Sequence, residues 1–247
     1  MIKEKFSEGD SLLHQLDPRI KIIVALFFSI SIAVIDKYKS LFFALLLAIF
    51  LIVVSRLRVK EVISRLWLVN SFIFLLWLIL PFSLPGETIY TLGSMSISRE
   101  GIHYAFLITL KSNTIILATL ALLSTSSIFN LIHALSHFRI PDKLIHLFFF
   151  SFRYLQTIHA EYIRLNNALK IRRFKAQTNF HTYRTLAYLI GMILVRSYDR
   201  SKRVYDAMLC RGFKGKFWIL NHFTFKPSDF VTGIIMISCI IGLVLWS

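Results

Sequence analysis

Two short stretches with the same pattern carry the residues best suited to binding chemistry. Both read Ala-x-x-x-Arg-x-Phe, and their arginines, Arg172 and Arg211, lie 39 residues apart. Each stretch falls near the C-terminal end of a predicted helix, where a cation complements the helix dipole and can also contact lipid phosphate. A second role is open, in which the matched pair presents one recognition element twice. That role requires a partner with two equivalent sockets.

Two long helices are expected to position these stretches. Apolar residues recur at three- and four-residue steps through 153–175, which predicts one helix with one face packed against the protein. The segment 183–211 has a similar pattern. We expect Pro141 to open the helix that bears the apolar segment 144–155, and Gly212 with Gly215 to help end the helix that bears 186–195.

Two histidines raise the question of a metal site. His133 and His137 are four residues apart and could share one face of a helix, which is the geometry of a metal-binding pair. No carboxylate or thiolate stands beside them as a third ligand. We therefore interpret both as interfacial helix residues and predict that the chain holds no metal.

Familiar catalytic patterns are missing from the sequence. It contains no G-x-x-x-x-G-K-[ST], no G-x-S-x-G and no H-E-x-x-H, so we predict no catalytic site. All 13 acidic residues fall outside the apolar cores, which disfavours an ion-coupled carrier that acts alone. Lys111 is the one clear charge inside an apolar block, and we expect it to face the protein interior or an interface.

Five apolar blocks give the chain a hydrophobic content of 56%. A membrane-spanning helix needs about 20 apolar residues, so the first two blocks, of 14 residues each, must recruit flanking residues to span. The sequence predicts an all-α polytopic membrane protein with about five transmembrane helices (range four to six) and long cytoplasmic coupling helices. The blocks are 22–35, 41–54, 66–84, 104–125 and 228–246.

Three parts follow from this pattern. We expect N-terminal transmembrane helices in 1–125, a cytoplasmic or interfacial coupling-helix module in 126–227 and a C-terminal transmembrane helix in 228–247. Within the module, the apolar segments 144–155 and 186–195 are too short to span, so we expect them to lie along the membrane face or beneath other helices.

The net charge of +16 is spread unevenly. Lys and Arg number four in 1–21, two in 36–40, four in 55–65, one in 85–102 and seventeen in 126–227. Under the positive-inside rule, this alternation places the N-terminus, the segment 55–65 and the long basic region 126–227 in the cytoplasm. Anionic lipid headgroups account for much of the basic charge. We reject nucleic acid as a partner because transmembrane blocks bracket the basic region and no nucleic-acid-binding signature occurs.

Three stretches, taken in order, resemble one family. "LDPRIKI" at 16–22 is similar to an N-terminal Leu-Asp-Pro-Arg-x-Lys signature, and "ISREGI" at 97–102 to a Ser/Thr-Arg-Glu-Gly-Leu stretch before the fourth span. The segment 181–217 resembles a second coupling segment. Together they make most of the chain resemble the T component of energy-coupling factor transporters, and in particular the CbiQ branch associated with cobalt and nickel uptake.

This resemblance implies roles for the chain and its partners. Two cytoplasmic ATPase subunits, which bind ATP and Mg²⁺, each offer a groove in which a motif arginine meets acidic residues. A membrane subunit of the CbiM type binds the substrate, with a small CbiN-like subunit as an optional further partner, and this chain needs no cofactor. The resemblance places it in the prokaryotic cell (inner) membrane as a multi-pass subunit. The coupling residues that it implies are Ala168, Arg172, Arg173, Phe174, Ala207, Arg211, Gly212 and Phe213.

The first motif departs from the family pattern. It reads Ile-Arg-Arg at 171–173, where Ala-Arg-Gly or Ala-Arg-Ser is common, whereas the second reads Cys-Arg-Gly at 210–212. The bulky first motif indicates a differently shaped groove and leaves two candidates for the first anchor, Arg172 and Arg173. We favour Arg172 because it aligns with Arg211 in the repeat.

Three other functions remain open from the sequence. The nearest is the T component of an importer for a vitamin such as biotin, since vitamin-specific relatives share the coupling motifs. A self-sufficient channel or carrier is a second. A membrane enzyme that acts on lipid through His133 and His137 is a third.

Overall fold

A computed structural model describes residues 11–92, 95–138, 140–215 and 227–246 of the protein. These residues confirm the all-α polytopic class, to which they add one short antiparallel hairpin. The helices are α1 (Leu12–Gln15), α2 (Pro18–Val34), α3 (Tyr38–Ser55), α4 (Val59–Ser83), α5 (Arg99–Leu123), α6 (Ile128–Ser136), α7 (Asp142–Ile171), α8 (Phe180–Cys210) and α9 (Pro227–Leu245). The hairpin strands are β1 (Thr88–Leu92) and β2 (Met95–Ser98).

Some predictions fall on residues outside this description. They concern the cytoplasmic N-terminus at 1–10, the part of the coupling module at 216–226 and the last residue, Ser247. The described residues divide into two compact units, one of 11–134 with 227–246 and one of 135–215.

An Asp-Pro pair starts helix α2. Asp17 is the residue before the helix, and its carboxylate accepts the backbone N–H of Arg19 at 2.9 Å. Pro18 occupies the first helical position, where its missing N–H costs nothing. The Asp-Pro pair therefore fixes the start of the helix locally.

The first unit is a helix bundle around α5, which packs against α2, α3 and α4, while α9 packs against α2 and α3. Small side chains are fully buried at these contacts, among them Ala44, Ala48 and Ala121. Small residues let helix backbones approach closely, which drives helix association where lipid removes the usual hydrophobic gain.

Polar side chains on α5 join it to α4. The indole N–H of Trp77 donates to the Thr109 hydroxyl at 2.9 Å, and the Asn113 amide donates to the Asn70 amide oxygen at 3.1 Å. Such bonds between apolar helices fix their rotation, because a polar group turned toward lipid would lose its partner.

Lys111 faces its own protein, as predicted. Its ammonium donates to the carbonyl oxygen of Ala33 at 2.9 Å and to the Asp36 carboxylate at 2.8 Å. Both acceptors lie at the C-terminal end of α2, where the last carbonyls lack helical partners and favour a cation. This charge within a predicted apolar block thus joins α5 to the end of α2.

In the part of the chain that the structure describes, three helices are long and apolar enough to cross a membrane: α3 with 18 residues, and α4 and α5 with 25 each. Residues 229–245 of α9 form a shorter apolar helix, and α2 has 17 residues. Helix α4 exposes Trp67 and Phe72 to 77% and 71%, a surface that suits lipid rather than water. The five helices α2, α3, α4, α5 and α9 match the five apolar blocks, and a total of five spans stays a prediction.

The start of α5 explains the "ISREGI" stretch. The Ser98 hydroxyl accepts the Gly101 N–H at 3.1 Å and donates to the Pro81 carbonyl at 3.3 Å. A β-carbon on Gly101 would lie 2.5 Å from the Leu80 oxygen and 2.7 Å from the Pro81 α-carbon. Glycine is therefore required here because the start of α5 meets the backbone of α4.

The second unit is built on α7 and α8, of 30 and 31 residues, which pack against each other. Helix α7 follows directly on Pro141 and is longer than predicted, since it includes the apolar segment 144–155 and ends at Ile171. Likewise, α8 includes 186–195. Gly212 follows α8 with a φ angle of 79°, which confirms its predicted role in ending the helix, whereas Gly215, with a φ angle of 84°, lies beyond the closing hydrogen bonds and its role stays a prediction.

Candidate functional site

The two Ala-x-x-x-Arg-x-Phe stretches end α7 and α8 with the same backbone hydrogen bonds. In each, the Phe N–H donates to the carbonyl five residues earlier, and the N–H before it donates to the carbonyl three residues earlier. This crossed pair is the Schellman motif, which satisfies carbonyls left over in the last helical turn. The N···O distances are 3.1 Å for Phe174–Leu169, 3.0 Å for Arg173–Lys170, 3.1 Å for Phe213–Met208 and 2.9 Å for Gly212–Leu209.

Arg172 and Arg211 occupy the same position, each directly after the last helical residue. The next residue is left-handed in both stretches, Arg173 with φ 58° and Gly212 with φ 79°. Arg173 is therefore the structural counterpart of Gly212, and Arg172 is the counterpart of Arg211. The geometry agrees with the alignment that favours Arg172, whose role as an anchor stays a prediction.

The two helix ends direct their cations outward and their aromatic rings inward. Each Phe follows the arginine by two residues and is half-buried, as is the third residue before the arginine, Leu169 or Met208. Among the described residues, no carboxylate pairs with the guanidiniums of Arg172, Arg173 and Arg211. These three guanidiniums are thus available for charge-assisted bonds with acidic groups of a partner. The exposed members of the predicted set are Ala168, Arg172, Arg173, Ala207, Arg211 and Gly212.

Helix α8 keeps the two ends apart. The Phe174 ring lies near the His181 ring in the first turn of α8, with centroids 6.4 Å apart. Arg211 follows the last residue of the same 31-residue helix. At 1.5 Å per residue, the two ends are separated by about 45 Å. Any partner that binds both must present sockets at that spacing.

A buried carboxylate ties α7 to α8. Glu161 of α7 is only 7% exposed, and it accepts hydrogen bonds from Arg196 of α8 and, at 3.3 Å, from Arg164 of its own helix. The contact resists separation, because moving α8 away would take Arg196 from a buried carboxylate and leave it with Arg164 alone. Glu161 therefore holds the helices that carry the two cationic ends.

A side-chain cap also fixes the start of α8. The side chain of Asn179 accepts the backbone N–H of Thr182 at 2.9 Å and its hydroxyl at 2.7 Å. The same hydroxyl accepts the N–H of Gln177 at 3.1 Å. This cap shapes the connector that leads from the first cationic end into α8.

Residues 9–221 match the family described as cobalt transport protein, CbiQ. The chain belongs to this family. Three similar proteins bear the name energy-coupling factor transporter transmembrane protein EcfT. The relative from Heliobacterium modesticaldum is 29% identical, over 83% of this chain and 81% of its own length. One from Streptococcus thermophilus is 24% identical over 87% and 86%, and one from Listeria monocytogenes, EcfT 1, is 24% identical over 99% and 97%.

In this CbiQ-family chain, the "LDPRIKI" stretch builds a buried polar cluster. Lys21 is 1% exposed, and its ammonium donates to the hydroxyls of Ser126 at 2.7 Å and Thr125 at 3.3 Å. Asp17 and Asp229 are both buried, and their charges act on the same ammonium. The cluster thus joins the starts of α2 and α9 to the residues that follow α5.

The histidines give no metal-binding group in the described part of the chain. His133 lies in α6, whereas His137 follows the last residue of that helix, Ser136. In the ranges that the structure covers, no group of three or more His, Cys, Asp or Glu side chains could hold a metal ion.

Sequence reasoning missed the two buried ionic clusters of this CbiQ-family chain. Glu161 stands three residues before Arg164 on a predicted helix, a spacing that indicates only a local pair. Its partner on the other helix, Arg196, is one of seventeen cations in the region, and nothing in the sequence singles it out. For Lys21, the signal is a charge at the edge of an apolar block, a position that is typical of a residue at the membrane interface.

Proposed function

We propose that this chain is the non-catalytic membrane coupling subunit of an energy-coupling factor importer for Co²⁺ or Ni²⁺. It transmits ATP-driven motion from two cytoplasmic ATPase subunits to a substrate-binding membrane subunit. The observation that carries this proposal is the pair of helix ends at Arg172 and Arg211, which share one backbone geometry and one exposed cation.

The anchors work through charge and fit. Arg172 and Arg211 meet carboxylates in the two ATPase grooves, where shielding from water makes such pairs stronger than on an open surface. Each anchor lies at a helix end where the Schellman motif already provides donors to the last-turn carbonyls. The ATPase groove therefore does not need to supply hydrogen-bond donors to the backbone of this chain. Binding then depends on the guanidinium and on the shape of the helix end.

The link between α7 and α8 suits transmission of movement. When ATP brings the two ATPase subunits together, the two sockets change their separation. A helix pair joined through Glu161 and Arg196 moves as one body instead of absorbing that change. The movement reaches the substrate-binding subunit as a shift or tilt of these helices.

Other components carry the chemistry and the cargo. We place ATP and Mg²⁺ on the ATPases, and the transported ion on a membrane subunit of the CbiM type, with a CbiN-like subunit as an optional addition. The chain itself binds no cofactor. It lies in the prokaryotic inner membrane with a cytoplasmic N-terminus, because the two cationic helix ends must face the ATPases.

The choice of substrate rests on the family description, which is cobalt transport. The three relatives named above carry no substrate in their names. An importer for a vitamin such as biotin is therefore the second candidate. It would use the same two helix ends.

An uptake experiment tests the proposal. Proteoliposomes that hold this chain with the ATPases and membrane subunits of its transporter should take up labelled Co²⁺ or Ni²⁺ only when ATP is present on the ATPase side. Liposomes with this chain alone should take up neither ion. Biotin uptake by the full set would favour the vitamin system, and ion uptake by the chain alone would contradict the proposal.

A further inference from the structure

The two helix ends differ at one structurally equivalent position. Arg173 and Gly212 both follow the anchor arginine, both adopt a left-handed conformation and both donate the same backbone hydrogen bond. One of them carries a guanidinium and the other carries no side chain. The difference lies next to each anchor, on a surface open to solvent.

Arginine is an uncommon residue in this conformation. A left-handed backbone crowds the β-carbon of any residue except glycine, so glycine is the usual choice at this step of a Schellman motif. Among the described residues, only Arg56 and Arg173 combine a side chain with a positive φ. The fold needs only the backbone at position 173, and no carboxylate of the described residues pairs with the guanidinium, which leaves it open to a partner.

The end of α7 is also more positively charged than the end of α8. Residues 170–175 contain four cations and no acidic residue. Near the second end, Arg211 and Lys214 are accompanied by Asp206, five residues before the anchor. The end of α7 therefore presents two adjacent guanidiniums, those of Arg172 and Arg173, among further cations. The end of α8 presents the guanidinium of Arg211 next to the backbone of Gly212, which has no side chain.

The space at Gly212 adds a further contrast. A β-carbon built there meets nothing within 4 Å in the described chain. The protein's own packing thus leaves room for a side chain, and the left-handed backbone is what favours glycine within the chain itself. Glycine allows a partner surface to approach the backbone directly.

We propose that Arg173 is a specificity-determining residue that directs the end of α7 to one of two unlike ATPase sockets. The socket for α7 presents two carboxylates, one for Arg172 and one for Arg173. The socket for α8 presents one carboxylate and closes against the backbone at Gly212. This inference rests on the proposed function and adds that the two ends are not interchangeable.

The test uses the full chain co-expressed with the ATPase subunits of its transporter. Arg173→Gly removes the guanidinium and keeps the backbone conformation, while Arg173→Lys keeps the charge without the paired hydrogen bonds of arginine. ATPase affinity and its dependence on NaCl are measured for both variants. Arg173→Gly should weaken binding on the order of tenfold and flatten the salt dependence, and Arg173→Lys should fall between it and wild type.

Matched changes at the second end complete the test. Gly212→Arg should also weaken binding, more than Gly212→Ala, because the socket there has no second carboxylate and less room. Photo-crosslinkers in place of Lys175 and Lys214 should label different ATPase peptides. Arg173→Gly should raise the thermal midpoint or leave it unchanged, so that a loss of affinity is not a loss of folding.

Two results would overturn this inference while leaving the proposed function intact. One is wild-type affinity and salt dependence of Arg173→Gly, when Arg172→Glu and Arg211→Glu lose the ATPases. The other is labelling of the same peptides from both crosslinkers. If Arg172→Glu and Arg211→Glu also bind normally, the proposed function itself fails.

Discussion

Arg196 of α8 donates a hydrogen bond to Glu161 of α7, and the two residues are 35 positions apart in the chain. The Glu161 side chain is 9% exposed and that of Arg196 is 44% exposed. The pair therefore combines a buried acceptor with a partly hydrated donor. It is the ionic contact that holds the two long helices against each other.

Replacing Glu161 by Gln should loosen α7 from α8. The neutral amide keeps the shape but loses the charge that both Arg164 and Arg196 neutralise. We expect a cost of about 1–3 kcal/mol, below the range for fully buried pairs because Arg196 is partly hydrated. Hydrogen exchange of the purified protein should rise in both helices around the contact.

Asp199→Asn on α8 provides a matched control for this change, since Asp199 is an exposed carboxylate of the same helix. It should leave exchange in α7 unchanged. A double-mutant cycle of Glu161→Gln with Arg196→Gln should give a favourable coupling energy. Equal exchange in the Glu161 and Asp199 variants would show that the contact does not hold the helices together.

Gly101→Ala should destabilise the helix bundle. The new methyl group would meet backbone atoms of Leu80 and Pro81, which cannot move aside as a flexible side chain could. Overpacking of this kind costs roughly 1–3 kcal/mol. The thermal midpoint of the purified protein measures the loss.

Gly191→Ala is the opposite case on α8, where a β-carbon meets nothing within 4 Å. It should leave the midpoint unchanged or raise it, since alanine favours a helix over glycine by about 0.5–1 kcal/mol. If both alanine variants shift the midpoint equally, the close approach of α5 to α4 is not what requires glycine.

Lys21→Met should be the most damaging of the stability variants. It removes two hydrogen bonds to Thr125 and Ser126 and a buried cation whose charge acts on the buried carboxylates Asp17 and Asp229. Removal of one partner from a buried ionic group costs about 3–5 kcal/mol. Yield of folded protein and resistance to heat in detergent should both fall.

A control variant and a double variant test whether this loss of stability comes from the buried cluster. Lys39→Met replaces an exposed lysine near the start of α3 and should change stability by less than about 0.5 kcal/mol. Adding Asp229→Asn to Lys21→Met should recover part of the loss, because it removes a carboxylate that lacks a cation. A Lys21→Met protein as stable as the Lys39 variant would rule out a structural role for the cluster.

Features fixed by neighbouring residues could be predicted from the sequence. Asp17 and Pro18 start α2 through contacts within three residues, and Gly212 ends α8 through bonds within its last turn. Lys111 could be placed because a charge among apolar residues has few favourable positions. The alignment of Arg172 with Arg211 likewise agrees with the backbone of both helix ends.

Features that depend on distant partners could not be predicted. Lys21 meets hydroxyls more than 100 positions away, and Glu161 meets a cation on another helix. The need for glycine at position 101 arises only when α5 touches α4. The left-handed Arg173 runs against the preference for glycine, so local rules would have placed the helix end elsewhere.

The most direct measurement of the central claim is co-purification of the ATPase subunits with four forms of the chain: wild type, Arg172→Glu, Arg211→Glu and the double variant. Each single change places an acidic group in a socket built for a cation, so ATPase recovery should fall with each and vanish in the double. All four forms should insert and fold alike, since both sites lie outside the packed core. Recovery of the ATPases with the double variant at wild-type levels would contradict the account, and the two arginines would then serve only to cap their helices.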